Sequence, residues 1–171
     1  MRLTTFLHKY KVIFLILILL SCASSIFAQS PGSLPEFLST TERENISKEN
    51  KEKDRTEALI KISVGRLGQA QVNFQAENFA LASDEIRNYG DLIDYTVKYI
   101  NTSVKKEGDK KKLFKILDLS LRRDLTVLES LRYELPGKYA DEANLVYEQI
   151  RKARITALGA LFGKDFFPDP D

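Results

Sequence analysis

The sequence predicts an all-α fold, an antiparallel four-helix bundle, and three observations carry that expectation. Apolar residues recur every three or four positions from Thr56 almost to the end of the chain. Turn-forming residues, among them Gly108-Asp109 and Pro136-Gly137, fall between those runs, and no stretch sustains the alternation of a half-buried strand. A hydrophobic content of 43% beside a charged content of 29%, in 171 residues, is enough for one compact domain.

The first segment reads as an export signal. Arg2, Lys9 and Lys11 precede an unbroken apolar run from Val12 to Leu20, and Ser21 to Ala28 is mostly small residues closing in Ile26-Phe27-Ala28. Cleavage after Ala28 gives a signal peptide over 1–28. Leu19-Leu20-Ser21-Cys22 resembles a bacterial lipobox, so Cys22 is a second candidate for the mature N-terminus, as a lipidated residue; an uncleaved anchor is a third reading. The location expected is therefore periplasmic or extracellular, free or held through Cys22.

Residues 29–55 are expected to form a flexible polar linker, because Pro31, Gly32 and Pro35 punctuate its start and Ile46 is the only strongly apolar side chain from Thr41 to Arg55; part of 47–55, rich in Lys and Glu, could extend the first helix but has no apolar stripe to dock. The four-helix domain then covers 56–163. Ile60, Val64, Leu67 and Phe74 mark a first helix over about 56–75, and a turn near Glu77-Asn78 follows. Ala82, Ile86, Tyr89, Ile93, Val97, Ile100 and Val104 mark a second, with Gly90 a weak point inside it. The segment 105–112 breaks the pattern. Leu113, Leu117, Leu121, Leu128, Leu131 and Leu135 mark the third helix, stopped at Pro136-Gly137, and Ala143, Val146, Ile150, Ala157 and Leu161 mark the fourth, with Gly163 as its C-cap. Residues 164–171 are a C-terminal tail.

Leu67-Gly68 followed by Glu77-Asn78-Phe79-Ala80-Leu81-Ala82 resembles the tetratricopeptide pattern: a small residue in one helix, an aromatic after a tight turn, and an Ala three positions on. The resemblance implies a helical hairpin in which Gly68 and Ala82 let the two helices approach closely. It covers about 40 residues in one copy and lacks the family's closing Pro, so the peptide groove of repeat arrays is not implied. The mature region as a whole is similar to exported bacterial helical domains of unknown function, which implies a class and no activity.

Composition narrows the chemistry. Three of the 26 bases lie in the leader, which leaves 23 against 24 acids, so no overall positive field favours nucleic acid as a partner. The only Cys, His and Met are Cys22, His8 and Met1, and Trp is absent. A chain beginning near Gln29 would have no disulfide, no imidazole base and no thiol nucleophile, and neither a metal nor another cofactor is expected.

The remaining candidates are few. Lys105, Lys106, Lys110, Lys111 and Lys112 form a basic loop that could meet an anionic membrane or cell-wall polymer, and a solvated turn is the plainer alternative. Asp124 falls on the apolar seam of the third helix and would need a partner there; Arg154, on the seam of the fourth, is the expected one, in a structural ion pair. Phe162, Phe166 and Phe167 could cap the bundle's end or meet a partner. The mid-helix pair Gly65 and Gly68 suggests tight packing. Acidic pairs such as Asp91 with Asp94, or Asp141 with Glu142, sit at spacings any charged helix produces. The expected function is contact with another envelope protein, without catalysis; surface binding through the lysines is the alternative, and a carboxylate hydrolase a distant third.

Overall fold

The computed structural model describes residues 33–163, and the leader and the tail lie outside them. Among the described residues every regular element is helical: α1 (Thr40–Lys48), α2 (Glu52–Gln75), α3 (Phe79–Ser103), α4 (Glu107–Glu134) and α5 (Lys138–Phe162).

The first helix falls where a flexible linker was expected, and the sequence contains the reason. Ser39 and Glu42 form a complete capping box: the Ser39 Oγ accepts from the Glu42 N–H at 3.2 Å, and a Glu42 carboxylate oxygen accepts from the Ser39 N–H at 2.8 Å. Leu38 and Ile46 are buried beside Leu59 of α2 and Leu92 of α3, with Leu34, Phe37, Ile62, Tyr95 and Tyr99 packed around them. Arg43 donates to the carbonyls of Leu34, Pro35 and Leu38, which folds 34–38 back along the helix. Residues 34–48 are thus a docked strap, in which Ile46 is the one buried residue of an otherwise polar helix and Leu38 before it is a second buried anchor.

Helix α2 begins at Glu52, four residues before the first expected helical position, and its buried stripe also differs. Thr56, Leu59, Ile60, Ser63, Leu67 and Ala70 face inward, while Val64 is 39% exposed. Serine satisfies its own hydroxyl at that inner position, with Ser63 Oγ donating to the Leu59 carbonyl at 2.9 Å. The helix closes in a Schellman turn: the Asn78 N–H donates to the Asn73 carbonyl, the Glu77 N–H donates to the Phe74 carbonyl, and Glu77 stands at φ 59°. Phe74 and Phe79 then meet across the turn, and Tyr139 meets Phe79.

Helices α2 and α3 pack along most of their length, as do α4 and α5. The apolar stripes of α3 and α4 are buried as their periodicity predicts, and the end signals hold, with Gly137 and Gly163 both at positive φ. The packing between neighbours in sequence is uneven, however. Helices α3 and α4 touch little although they are consecutive, and α3 rests on α5 instead. Side-chain bonds link each helix to the next: Arg66 to Glu85, Tyr89 to Asp124, and Arg154 to Asp118. Gly90 makes the approach of α3 to α5 feasible: a Cβ there would stand 2.8 Å from the Gln149 Oε1 and 3.1 Å from a Val146 methyl. Gly65 and Gly68, expected to serve close packing, have nothing within 4 Å of an added Cβ, because they lie away from the α2–α3 contact. Of the two small residues in the tetratricopeptide-like pattern, only Ala82 is buried.

Candidate functional site

A buried polar cluster is centred on Asp124, which is 5% exposed on the inner face of α4. Its partner is not Arg154. The hydroxyl of Tyr89, from α3, donates to the Asp124 carboxylate at 3.0 Å, and the Ser120 hydroxyl, one turn earlier on α4, donates to the same oxygen at 3.2 Å. Burial pushes the Asp124 carboxyl above its ordinary range, against the opposing pull of the two hydroxyls and of Arg123. Burial and the neighbouring Asp124 charge together hold the Tyr89 phenol well above its usual range, so it stays a donor. This bond ties α3 to α4 within the core that both helices share.

Arg154 pairs instead with Asp118, its Nε donating to one carboxylate oxygen at 2.9 Å while Arg122 reaches the other at 3.5 Å. The reason is register. Asp118 and Arg154 lie at equal sequence distance from Pro136, so an antiparallel hairpin sets them level, whereas Asp124 lies six residues, or about 9 Å, further along the α4 axis. Asp118 follows the seam residue Leu117 by one position, where the leucine spacing does not mark it as buried.

The lysines are less of a loop than expected. Helix α4 already begins at Glu107, which leaves Val104–Lys106 as the whole connection and places Lys110, Lys111 and Lys112 in the opening turns of a helix. The apolar run starts only at Leu113, so Glu107, Gly108 and Asp109 masked an N-terminal turn in which acids suit the helix dipole. Lys105, Lys106, Lys111 and Lys112 are exposed, Lys110 is half-buried, and Lys112 bridges to Asp109 at 3.0 Å. Phe162 is 63% exposed at the end of α5; Phe166, Phe167 and Cys22 lie outside the described residues.

Two further features were not foreseen. Arg66 on α2 grips both oxygens of Glu42 at 2.7 and 2.8 Å, reaches Glu85 at 3.4 Å and lies over the Phe37 ring, which latches the strap. Arg132 lies over the Tyr147 ring at 4.0 Å and over that of Tyr133 at 4.6 Å. Tyr133 is 75% exposed and Leu145 68% exposed, and Val72, Leu81 and Leu119 also show more than half their surface. Two open clefts accompany these surfaces. One of about 630 Å³ lies between α1 and α2 beside Asn45, Lys48, Asp54, Glu57 and Lys61; the other, of about 260 Å³, lies at the Glu77 turn against Tyr139. Among the described residues no group of three His, Cys, Asp or Glu side chains is placed to hold a metal ion, and no helix is long and apolar enough to cross a membrane.

No protein-family model, curated protein or solved structure matches the chain. Chemically, Asp124 and Asp118 direct their oxygens to partners inside the fold, Asp91, Asp94 and Asp141 stand on outer faces, and the exposed aromatic and aliphatic side chains supply surface for contact.

Proposed function

We propose that the chain is exported through its first 28 residues and acts in the cell envelope by protein–protein contact, without catalysing a reaction. On this reading α2 to α5 form an antiparallel bundle of two helical hairpins, the first resembling a single tetratricopeptide unit. The observation that carries the contact function is the set of large apolar side chains on outer helix faces, Tyr133 at 75% and Leu145 at 68% exposure above all, since such groups, when contiguous, mark surfaces that partners cover. The engagement of both buried acids with Tyr89, Ser120, Arg122 and Arg154 supports a structural use of charge. A photo-crosslinker placed at Leu145 or Tyr133 in the envelope fraction is expected to capture one defined protein, while the same group at polar Lys152 captures none. Equal, diffuse labelling from all three positions would overturn the proposal.

A second reading draws on the four exposed lysines at the α3–α4 turn, which could meet an anionic surface. It predicts salt-sensitive sedimentation with vesicles containing anionic lipid, or with cell-wall polymer, abolished when Lys105, Lys106, Lys110, Lys111 and Lys112 are replaced by Gln. Sedimentation indifferent to that change would remove it. On either reading, mass spectrometry of the mature N-terminus distinguishes cleavage after Ala28 from lipidation at Cys22.

A further inference from the structure

The two helix starts at the N-terminal end of the domain are unequal. Helix α1 opens on the full capping box of Ser39 and Glu42. Helix α2 opens on Lys51, whose side chain makes no capping bond. Between them stand Glu49 and Lys51 in extended conformation (φ −78°, ψ 106° and φ −93°, ψ 135°), with Asn50 in the middle and neither Gly nor Pro to impose the break. Glu and Lys are good helix formers, and from Pro35 to Pro136 no proline interrupts the chain. Asn50 is the one poor helix former of the three, so local preference admits one helix running from Thr40 to Gln75. Tertiary contacts of the strap hold the break at Asn50: the burial of Leu38 and Ile46 and the Glu42–Arg66 latch.

We propose that Glu49–Lys51 is a hinge, and that its straightening into helix lets the strap of one copy dock in the groove of a second copy, forming a strap-exchanged dimer. In a continuous helix Glu42 would lie about 36 Å from Arg66 along the axis, since 24 residues separate them, so a chain with a straight hinge cannot close its own latch. The vacated groove presents Leu59, Ile62, Leu92, Tyr95 and Tyr99, and a second copy carries the one segment shaped to it, with Leu38 and Ile46 for the apolar floor and Glu42 for Arg66. The exchanged dimer restores each strap contact of the monomer, and straightening adds helical hydrogen bonds to the terminal carbonyls of α1 and the first N–H groups of α2. The hinge alone then sets the balance against the entropy of association.

The test is light scattering on the protein after long equilibration at millimolar concentration, beside two hinge variants. The wild type forms a slowly exchanging dimer. Asn50→Ala, which raises helix propensity in both hinges, increases the dimerisation constant about tenfold. Glu52→Pro suits the first helical position after an extended Lys51 but breaks a continuous helix, and lowers the constant more than about a thousandfold with unchanged helical circular dichroism. Spin labels at Thr41→Cys and Gly65→Cys in a Cys22→Ser background, diluted into unlabelled protein, read about 36 Å between helix positions in the dimer and a much shorter separation in the monomer. A wild type that stays monomeric throughout, a Glu52→Pro variant that dimerises as well as the wild type, an Asn50→Ala variant with an unchanged constant, or a short label distance within the dimer would each overturn the proposal.

Discussion

Replacing Asp124 by Asn tests whether the buried carboxylate is a cost that the fold carries. The amide keeps an acceptor oxygen for the Tyr89 hydroxyl at 3.0 Å, and its NH2 can donate to the Ser120 Oγ now 3.2 Å from the carboxylate. Converting charged hydrogen bonds into neutral ones loses about 1 kcal/mol. Against this, a side chain only 5% exposed no longer has to bury a charge, and burial is the dominant influence on Asp124. The net expectation near pH 7 to 8 is a variant more stable than the wild type by about 1 to 2 kcal/mol. The sign with pH follows from the raised carboxyl: the folded chain holds its proton to higher pH than the unfolded chain, so the contribution of protonated Asp124 is complete below the ordinary carboxylate range and is lost as pH rises through the folded value. The variant's advantage should shrink on acidification and fall within about 0.5 kcal/mol by pH 4. Urea unfolding followed by circular dichroism from pH 4 to 8 measures it. An Asp124→Asn chain about 2 kcal/mol less stable at every pH would refute the reasoning, because it would make the ionised carboxylate a net asset.

Other substitutions probe the packing. Gly90→Ala is expected to cost about 1 to 3 kcal/mol by forcing Val146 and Gln149 aside, whereas Gly65→Ala and Gly68→Ala, with open space around them, should each stabilise by up to about 1 kcal/mol; thermal unfolding separates the two classes. Ile46→Ala should destabilise by about 2 to 4 kcal/mol in urea, as expected of a fully buried side chain and not of a linker residue. In a double-mutant cycle Arg154→Ala should couple to Asp118→Ala by about 1 kcal/mol or more and to Asp124→Ala by next to nothing, with equal couplings contradicting the register.

How much of this was legible varies along the chain. The stripes of α3 and α4 could be read because their buried positions hold large aliphatic residues at uniform spacing, and Pro136-Gly137 and Gly163 mark boundaries with backbone chemistry that admits few alternatives. Helix α2 is legible at Ile60 and Leu67, but its inner stripe also runs through Thr56 and Ser63, whose hydroxyls bond their own helix and do not register as apolar. Periodicity does not reveal the strap, because it requires several apolar residues and α1 buries only Ile46; the Ser39-Thr40-Thr41-Glu42 capping box is the signal for it. Burial of Asp124 followed from its heptad position, but its partner did not, because partner choice depends on the axial register between helices and on a tyrosine hydroxyl that hydrophobic patterning counts only as core. Among the glycines, no local pattern separates Gly90, under α5, from Gly65 and Gly68 in open space.

The docked strap departs furthest from what the sequence predicts, and amide hydrogen exchange across Thr40–Lys48 tests it most directly. Protection at Ile46 and its helical neighbours close to that of Leu59 in α2 is the expected result. Exchange there as fast as at the exposed Lys105 and Lys106 would contradict a strap that belongs to the fold.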